Sequence, residues 1–289
     1  MQRTLILGAA GQVGRALQQI APPSTIVVAH DVVQTDVRSR NSVERTIGDI
    51  EPDVIINCAA FTNVDEAETQ RQGAMELNAL APGAIAELAH GRGIRLVHIS
   101  TDYVFDGRAS TPYPTSARPS PLNTYGQTKL EGERRVLAAA ADSVVVRTAW
   151  VHSAWGANFV KTATRRLEAG TAMRVVDDQI GTPTRALHLA RALWAIADRS
   201  DVRGVLHFTD SGVASWFDVA VAVRRALQHA GRLGGGASVA PVDSMESPRP
   251  AVRPAYSVLD KHDSWRVIGY TPPDWVEGVT ASVSELLHA

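Results

Sequence analysis

Tyr125 and Lys129 lie four positions apart in PLNTYGQTKLEGE, residues 121 to 133, in a chain with only five tyrosines and three lysines. On a helix, side chains four residues apart lie on one face. A free phenol has a pKa of about 10, and a nearby ammonium group favours the phenolate and lowers that value. We therefore predict that Tyr125 is a proton donor and that Lys129 is the cation that adjusts its pKa.

A second chemical group precedes this pair. The apolar stretch IRLVHIS, residues 94 to 100, is typical of a buried strand and is followed directly by Thr101. In α/β folds, ligands bind at the carboxyl edge of the sheet. We predict that the Thr101 hydroxyl shares a carbonyl oxygen with Tyr125, although a strand-end threonine that bonds its own backbone is the alternative.

Three glycines follow the first apolar run. LILGAAGQVGRAL places Gly8, Gly11 and Gly14 between a strand and an amphipathic helix. A tight turn there needs residues without Cβ, and a pyrophosphate can bind the N–H groups at the start of the helix. The pattern predicts a dinucleotide site, with a simple strand-to-helix turn as the alternative.

The choice of dinucleotide depends on the end of the second strand. Asp31 lies there, and a carboxylate at this place accepts hydrogen bonds from the adenosine ribose and repels a 2′-phosphate. Arg38 and Arg40 follow closely and are able to pair with such a phosphate. Asp36 is either a contact to the adenine edge or a turn residue. NADPH and NADH therefore both remain candidates.

Short apolar runs alternate with helical patterns along the first half of the chain. The predicted strands, buried on both faces, lie at residues 4–8, 25–30, 53–60, 94–100 and 143–150. Amphipathic stretches between them supply the crossovers of βαβ units. We predict an α/β fold, a doubly wound Rossmann-type parallel sheet with a smaller C-terminal substrate-binding region. The cofactor-binding core is assigned to residues 1–150 and the substrate region to residues 151–289, with some elements returning to the core.

Composition limits the classes of partner and the compartment. The formal net charge is −1, which gives no reason to expect a nucleic-acid or membrane partner. Cys58 is the only cysteine, so an intrachain disulfide or a cysteine-rich metal site is excluded. The first residues lack the pattern of a signal peptide, and no apolar run is long enough for a membrane helix. We expect a cytoplasmic protein.

Six motifs in order carry a family resemblance, namely GAAGQVG, INCAAFTNVDEAE, STDYVFDG, YGQTK, RTAWV and RPAYSVLD. They resemble the extended short-chain dehydrogenase/reductases, and among these the dTDP-4-dehydrorhamnose reductases. The resemblance implies reduction of the C4 ketone of dTDP-4-dehydro-β-L-rhamnose by NADPH or NADH. It implies Thr101, Tyr125 and Lys129 as the catalytic residues.

The same resemblance, with the glycine turn and strand-end residues above, implies two binding sets. The cofactor set is Gly8, Gly11, Gln12, Val13, Gly14, Asp31, Asp36, Val37, Cys58, Ala59, Ala60, Tyr125 and Lys129. The substrate set is Phe61, Thr62, Val64, Thr101, Asp102, Tyr103, Trp150, Asn158, Phe159, Gln179 and Arg253. A single arginine fork, Arg253, suits a diphosphate on a nearly neutral protein.

One departure from the family concerns metal. Some members form dimers through glutamates that gather a magnesium ion, whereas the matching positions here are Ala16 and Leu187. Neither side chain offers the oxygen that this hard cation needs. We expect no metal, and a monomer or a homodimer without a metal bridge.

Other functions share these motifs. A 4-ketoreductase for another dTDP-deoxysugar remains open, as does a non-catalytic regulatory subunit of the same fold. Dehydratases usually carry an acidic residue after the strand-end Thr-Asp, whereas Tyr103 follows Asp102 here, which argues against them.

Overall fold

A computed structural model describes residues 1–288. The strands of this part of the chain are β1 (Gln2–Leu7), β2 (Thr25–His30), β3 (Val54–Asn57), β4 (Arg95–Thr101), β5 (Val144–Thr148), β6 (Val151–His152), β7 (Met173–Val176), β8 (Ile180–Gly181), β9 (Thr184–Arg185), β10 (Gly204–His207), β11 (Ala214–Ser215) and β12 (Val239–Val242). The α-helices are α1 (Gln12–Gln19), α2 (Arg40–Ile50), α3 (Val64–Thr69), α4 (Arg71–Met75), α5 (Ala81–His90), α6 (Thr124–Ala139), α7 (Phe159–Glu168), α8 (Ala186–Ala197), α9 (Trp216–His229), α10 (His262–Ile268) and α11 (Trp275–His288).

Six strands form a parallel sheet in the order β10-β5-β4-β3-β1-β2. β1, β3 and β5 each contain a run of three buried apolar residues, Leu5 to Leu7, Val54 to Ile56 and Val144 to Val146, as expected of strands that are covered by helices on both faces. The chain moves from β1 to one side for β2 and to the other side for β3. Ligands bind at such a switch point, outside the carboxyl ends of the strands.

Helices cover both faces of the sheet. On one face, α1, α8 and α10 bury Leu17, Leu193 and Trp265 against the strands. On the other face, α2, α5 and α6 bury Ile47 and Ile85 among their apolar residues. The predicted doubly wound sheet is therefore confirmed.

A third apolar cluster lies in the C-terminal half. α7, α9 and α11 pack together over a small parallel pair formed by β7 and β12. In the same half of the chain, β10 pairs with β5 and α8 packs on the central sheet. The division of the chain near residue 150 stays a prediction.

The main local difference from the predicted elements lies before α5. The helical pattern expected over residues 74–93 contains a π-helical turn, Glu76–Leu80, ahead of α5. Such a turn is frequent at functional sites because it redirects side chains within a helix. No helix within residues 1–288 is both long and apolar enough to cross a membrane.

Candidate active site

A cleft of about 1020 Å³ opens at the carboxyl ends of β1, β3, β4 and β5 and extends to α7 and β7. One wall carries the glycine turn and the other carries residues of the C-terminal half. The cleft therefore joins the switch point of the sheet to the region expected to hold substrate.

The glycine turn depends on close backbone approach. Gly8 has a φ of 78°, and a Cβ there would lie 2.7 Å from the Ala59 nitrogen. A Cβ on Gly14 would lie 2.4 Å from the Gly8 carbonyl oxygen. These two glycines let the loop after β3 and the start of α1 pack against the end of β1. Gly11 lines the cleft itself.

The first turn of α1 faces the same space. Gly11 is the N-cap, no side chain caps the helix, and Gln12 and Val13 line the cleft. The backbone N–H groups of a first turn have no partner within the helix and carry its positive dipole end. The turn therefore fits the pyrophosphate of a dinucleotide.

Gln12 also connects the two walls. Its Oε1 accepts hydrogen bonds from Ser153 Oγ and Asn158 Nδ2, both at 2.9 Å, and its Nε2 donates to the Val151 oxygen at 3.3 Å. Asn158 in turn caps α7, because its Oδ1 accepts from the Lys161 N–H at 2.9 Å. The Asn158 amide thus fastens the glycine turn to the start of α7.

The loop after β3 is held by two asparagines. Asn57 Oδ1 accepts from the Ala59 N–H at 3.1 Å, and its amide nitrogen lies 3.2 Å from His98 Nδ1. Asn78, in the π-helical turn, bonds both backbone polar groups of Phe61, at 2.8 and 3.0 Å. The cofactor-side and substrate-side ends of this loop are therefore fixed independently.

Thr101 ends β4 and is buried in the cleft wall. Its hydroxyl donates to Asp102 Oδ1 at 3.0 Å and accepts from the Tyr103 N–H at 3.2 Å. Asp102 is buried as well, and burial raises the pKa of its carboxyl to about 7. The end of β4 thus presents the Thr101 hydroxyl, which is hydrogen-bonded to a carboxyl whose pKa lies near neutrality.

Several bonds set the position of α6, which carries Tyr125. Asn123 caps the helix by accepting from the Gly126 N–H at 2.8 Å, and its amide donates to the Val252 oxygen at 2.8 Å. Glu68 accepts from the Thr124 N–H at 2.8 Å and from the Thr124 hydroxyl at 3.0 Å. The first turn of α6 is thereby tied to α3 and to the C-terminal half.

Two glycines let α6 approach its neighbours. A Cβ on Gly126 would lie 2.1 Å from the Tyr103 carbonyl oxygen, and one on Gly132 would lie 2.1 Å from the Asn78 carbonyl oxygen. The Tyr125 and Tyr103 rings meet edge to face, with centroids 5.8 Å apart. This approach places the Tyr125 phenol beside the end of β4.

The pKa values in the cleft are governed by burial. Burial raises the pKa of Tyr125 to about 12, although the Thr101 hydroxyl acts to lower it. Lys129 donates to the Ile99 carbonyl oxygen at 2.5 Å, and burial lowers the pKa of Lys129 to about 8 against the influence of Glu133. Burial therefore sets the pKa of Tyr125, and Lys129 is not among the groups that shift it, contrary to the expected lowering of the phenol pKa. The phenol is a protonated donor at neutral pH.

A buried ion pair lies beneath Lys129. Arg147 donates to both carboxylate oxygens of Glu133, at 2.9 and 2.7 Å, and both side chains are less than 5% exposed. Ser100 also donates to Glu133, at 2.5 Å. Such a pair is costly to break because it leaves one charge buried and unpaired. It provides a fixed negative group four residues from Lys129.

Aromatic rings form the far wall. Trp150 has a φ of 48°, and its ring stacks on Trp216 with centroids 3.7 Å apart. Phe159 meets Trp216 edge to face at 5.0 Å. A positive φ in a bulky residue is strained, and such strain persists where the surroundings enforce it. Gly181 makes room for the ring in this conformation, since a Cβ on it would lie 2.6 Å from the Trp150 ring.

This part of the cleft is cationic. Four arginines line it, namely Arg166, Arg174, Arg249 and Arg253, and Asp102 is the only acidic side chain among the lining residues within 1–288. Arg253 forms a two-pronged pair with Asp65, at 2.5 and 2.9 Å. The field at this end favours an anionic group such as a diphosphate.

Comparison with known proteins places this geometry in a family. The family described as RmlD substrate binding domain matches residues 1–288. The chain belongs to this family.

Three relatives of this RmlD-family chain are informative. A protein of Mycolicibacterium smegmatis named dTDP-4-dehydrorhamnose reductase is 43% identical over 296 residues, which cover 100% of this chain and 87% of that protein. A Streptomyces antibioticus protein named probable dTDP-4,6-dihydroxy-2-methyloxan-3-one 4-ketoreductase is 41% identical, with 99% and 96% covered. The crystal structure of dTDP-4-dehydrorhamnose reductase from Bacillus anthracis in complex with NADP is 34% identical, with a TM-score of 0.92 over 99% of this chain and 100% of that chain.

Most residues predicted from the sequence gather in the cleft of this RmlD-family member. Those that line it are Gly11, Gln12, Val13, Gly14, Cys58, Ala60, Thr62, Val64, Thr101, Asp102, Tyr103, Tyr125, Lys129, Trp150, Asn158, Phe159, Gln179 and Arg253. Burial raises the pKa of the Cys58 thiol to about 12, which leaves it neutral.

The remaining predicted residues lie behind or beside the cleft. Gly8, Ala59 and Phe61 support its loops, as described above. Asp31 follows β2 at the surface, and Asp36 is occupied by a two-pronged pair with Arg38, at 2.9 Å for each contact. Val37 is buried in the apolar cluster on one face of the sheet. The adenine contact expected of Asp36 therefore competes with this ion pair.

The structure also shows the surroundings of Ala16 and Leu187, the two positions at which the sequence lacks a metal ligand. Ala16 is fully buried in the apolar cluster beneath α8, and Leu187 packs against the same cluster. Within residues 1–288, no group of three or more histidine, cysteine, aspartate or glutamate side chains is suitable for a metal ion.

Sequence reasoning missed several residues of the site. Three of the four arginines, Arg166, Arg174 and Arg249, were not anticipated, and neither was Trp216. Arg166 and Arg174 lie eight residues apart, whereas Trp216 and Arg249 are distant from them along the chain, so no single motif links the four. The π-helical residue Asn78 was missed because its effect passes through the backbone of Phe61.

Proposed function

We propose that this chain reduces the C4 ketone of dTDP-4-dehydro-β-L-rhamnose to dTDP-β-L-rhamnose with NADPH or NADH, the last step of dTDP-L-rhamnose biosynthesis. The observation that carries the proposal is the convergence of Thr101, Tyr125 and Lys129 in the cleft that also contains the glycine turn and the arginines. Membership of the RmlD family and the names of its relatives support the same reaction.

The nicotinamide cofactor supplies the hydride when it is bound. The first turn of α1 would hold its pyrophosphate, because the N–H groups there face the cleft without a side-chain cap. Lys129, Ala60 and Cys58 line the cleft between this turn and Tyr125, and Lys129 would hold the ribose next to the nicotinamide.

The chain's own groups act on the ketone oxygen. Negative charge grows on this oxygen during reduction, and Tyr125 is a protonated phenol placed to neutralise it. Thr101 donates a hydrogen bond to the same oxygen, which stabilises the charge as it forms. Lys129 contributes a buried positive charge to the same cleft.

The substrate class follows from the far end of the cleft. A dTDP-sugar carries two phosphates and a flat base. Arg249 and Arg253 are placed to pair with the phosphates, and the rings of Trp150, Trp216 and Phe159 offer flat apolar surface to the base or the sugar. Gln179 lines the same wall.

The test is a reductase assay on matched variants. The purified protein is mixed with NADPH or NADH and the 4-keto sugar, and the loss of cofactor absorbance is followed. We expect Tyr125→Phe to lower kcat by about 100-fold or more, because general acid catalysis contributes about that much, while cofactor affinity stays unchanged. Tyr256→Phe, which removes a hydroxyl outside the cleft lining, is the control and should keep full turnover. Equal turnover of Tyr125→Phe and wild type would refute the proposed role.

A second candidate is a 4-ketoreductase for another dTDP-deoxysugar. The 41% identical relative from Streptomyces antibioticus carries such a name, and the identity is close to that of the relatives named dTDP-4-dehydrorhamnose reductase. NMR analysis of the product from each 4-keto sugar separates the two. Absence of turnover with every dTDP-4-keto sugar would favour the non-catalytic subunit instead.

The setting of the reaction is also part of the proposal. We place it in the cytoplasm, where the nucleotide substrates are made and where a lone thiol such as Cys58 stays reduced. The protein is proposed to act as a monomer or as a homodimer without a metal bridge. Ala16, which is buried, and Leu187, which is partly buried, offer no oxygen ligand for such a bridge.

A further inference from the structure

The Thr101 hydroxyl has one proton, and two acceptors compete for it. In the structure it donates this proton to Asp102 Oδ1 at 3.0 Å and accepts from the Tyr103 N–H at 3.2 Å. The proposed function requires the same hydroxyl to donate to the ketone oxygen. A hydroxyl donates one hydrogen bond only, so Thr101 does not serve both acceptors at once.

We infer that Asp102 is a positioning residue whose carboxyl proton sets the direction of the Thr101 hydrogen bond. When Asp102 is protonated, its O–H donates to Thr101 Oγ1, and the Thr101 proton turns toward the substrate oxygen. When Asp102 is ionised, it takes the Thr101 proton as a hydrogen bond and the substrate oxygen loses a donor. The inference rests on the proposed function.

The surroundings of Asp102 favour a carboxyl that gains a proton. The residue is 2% exposed, and its Oδ2 is a buried oxygen with no hydrogen-bond partner within residues 1–288. A buried carboxylate oxygen without a partner is costly, and protonation removes most of that cost. Asp102 also forms no salt bridge in the described part of the chain.

The neighbouring elements bring no cation to Asp102. The segment that follows α9 and β12 faces it with the Ser257 hydroxyl, and α6 faces it with the Tyr125 phenol. The Tyr103 phenol lies beside it in the strand-end turn. Two cations that line the same cleft are engaged elsewhere, since Arg253 pairs with Asp65 and Lys129 bonds the Ile99 oxygen.

This environment determines the pH at which the Asp102 carboxyl loses its proton. Burial raises the pKa of Asp102 to about 7, and the neighbouring Ser257 and Thr101 hydroxyls offset only part of the rise. An acid with a raised pKa is neutral below that value and ionised above it. Turnover should therefore be highest at mildly acidic pH and fall as the pH rises through neutrality. Tyr125 supplies the transferred proton, and Asp102 keeps its own throughout.

The experiment compares the pH dependence of kcat in wild type and Asp102→Asn at saturating cofactor and 4-keto sugar. The protonated fraction of an acid with a pKa of about 7 falls from about 0.9 to about 0.1 between about pH 6 and about pH 8, so wild-type kcat should fall roughly tenfold. The asparagine amide carries an N–H donor for Thr101 Oγ1 at every pH, because this group does not ionise. We expect Asp102→Asn to keep a kcat near the acidic plateau of wild type and to lose this fall.

Asp106→Asn is the matched control. Asp106 follows β4 in the same segment, and hydrogen bonds from Tyr113 and the Arg108 N–H hold its pKa below its usual range. The Asp106→Asn variant removes a carboxylate that neither lines the cleft nor bonds Thr101, so its pH profile should match that of wild type. A further fall near pH 8, shared by all three proteins, belongs to Lys129.

The result that overturns the inference is an unchanged fall of kcat in Asp102→Asn, or a wild-type kcat that is flat between the two pH values. If Asp102→Asn does not fold, infrared titration of the wild type replaces this test. The inference requires a protonated carboxyl band that disappears as the pH rises through neutrality. A wild type without reductase activity at any pH refutes the proposed function instead, which distinguishes the two failures.

Discussion

Replacement of Gly126 by alanine tests whether the close approach of α6 to the end of β4 positions the phenol. The new Cβ would lie 2.1 Å from the Tyr103 carbonyl oxygen and 3.0 Å from the Pro121 Cβ. The pair must separate by about 1 Å to reach van der Waals contact, and because Tyr125 is the adjacent residue, the phenol must move too. A misplacement of about 1 Å costs about 100-fold in rate.

The stability change has two opposing parts. Overpacking costs about 1–3 kcal/mol, and the better helix propensity of alanine returns up to about 1 kcal/mol. The free energy of unfolding should therefore fall by about 0–3 kcal/mol, less than the roughly 5–15 kcal/mol that holds a typical protein folded. A loss of kcat then reports the displacement of the Tyr125 phenol rather than unfolding of the protein.

Gly48→Ala is the control for helix propensity alone. Gly48 lies in α2, is exposed, and an added Cβ would meet nothing within 4 Å. This variant should gain up to about 1 kcal/mol in the free energy of unfolding and keep wild-type kcat. Urea unfolding and steady-state kinetics on both variants give the comparison. If Gly126→Ala is as stable and as active as Gly48→Ala, the close approach does not position Tyr125.

Two further predictions concern the two ends of the cleft. Arg249→Ala should raise KM for the dTDP-sugar by about tenfold, or about 1.4 kcal/mol, with little change in kcat; the exposed Arg225→Ala is the control, and an unchanged KM would contradict the phosphate contact. Asp31→Asn removes a partly buried carboxylate that opposes a 2′-phosphate by about 1 kcal/mol or more. It should raise kcat/KM for NADPH relative to NADH by about fivefold, and a constant ratio in paired assays would show that Asp31 does not face the ribose.

Much of the fold was predictable because local patterns coincide with the final packing. The apolar run at residues 25–30 matches β2, and the run at 94–100 matches β4 within one residue. Strands covered on both faces leave continuous apolar runs, which are visible without any partner. The π-helical turn at Glu76–Leu80 was not predictable, because it depends on α6 lying against it.

The sequence by itself determined the order of the strands and helices, the glycine turn, and the residue types at positions 101, 125 and 129, since these depend on neighbours within a few residues. Only the tertiary structure decided the electrostatics of the site. The high pKa of Tyr125, the intermediate pKa of Asp102 and the gathering of Arg166, Arg174 and Arg249 arise from burial and from contacts between distant segments. Desolvation depends on every element that surrounds a group, and no local pattern records it.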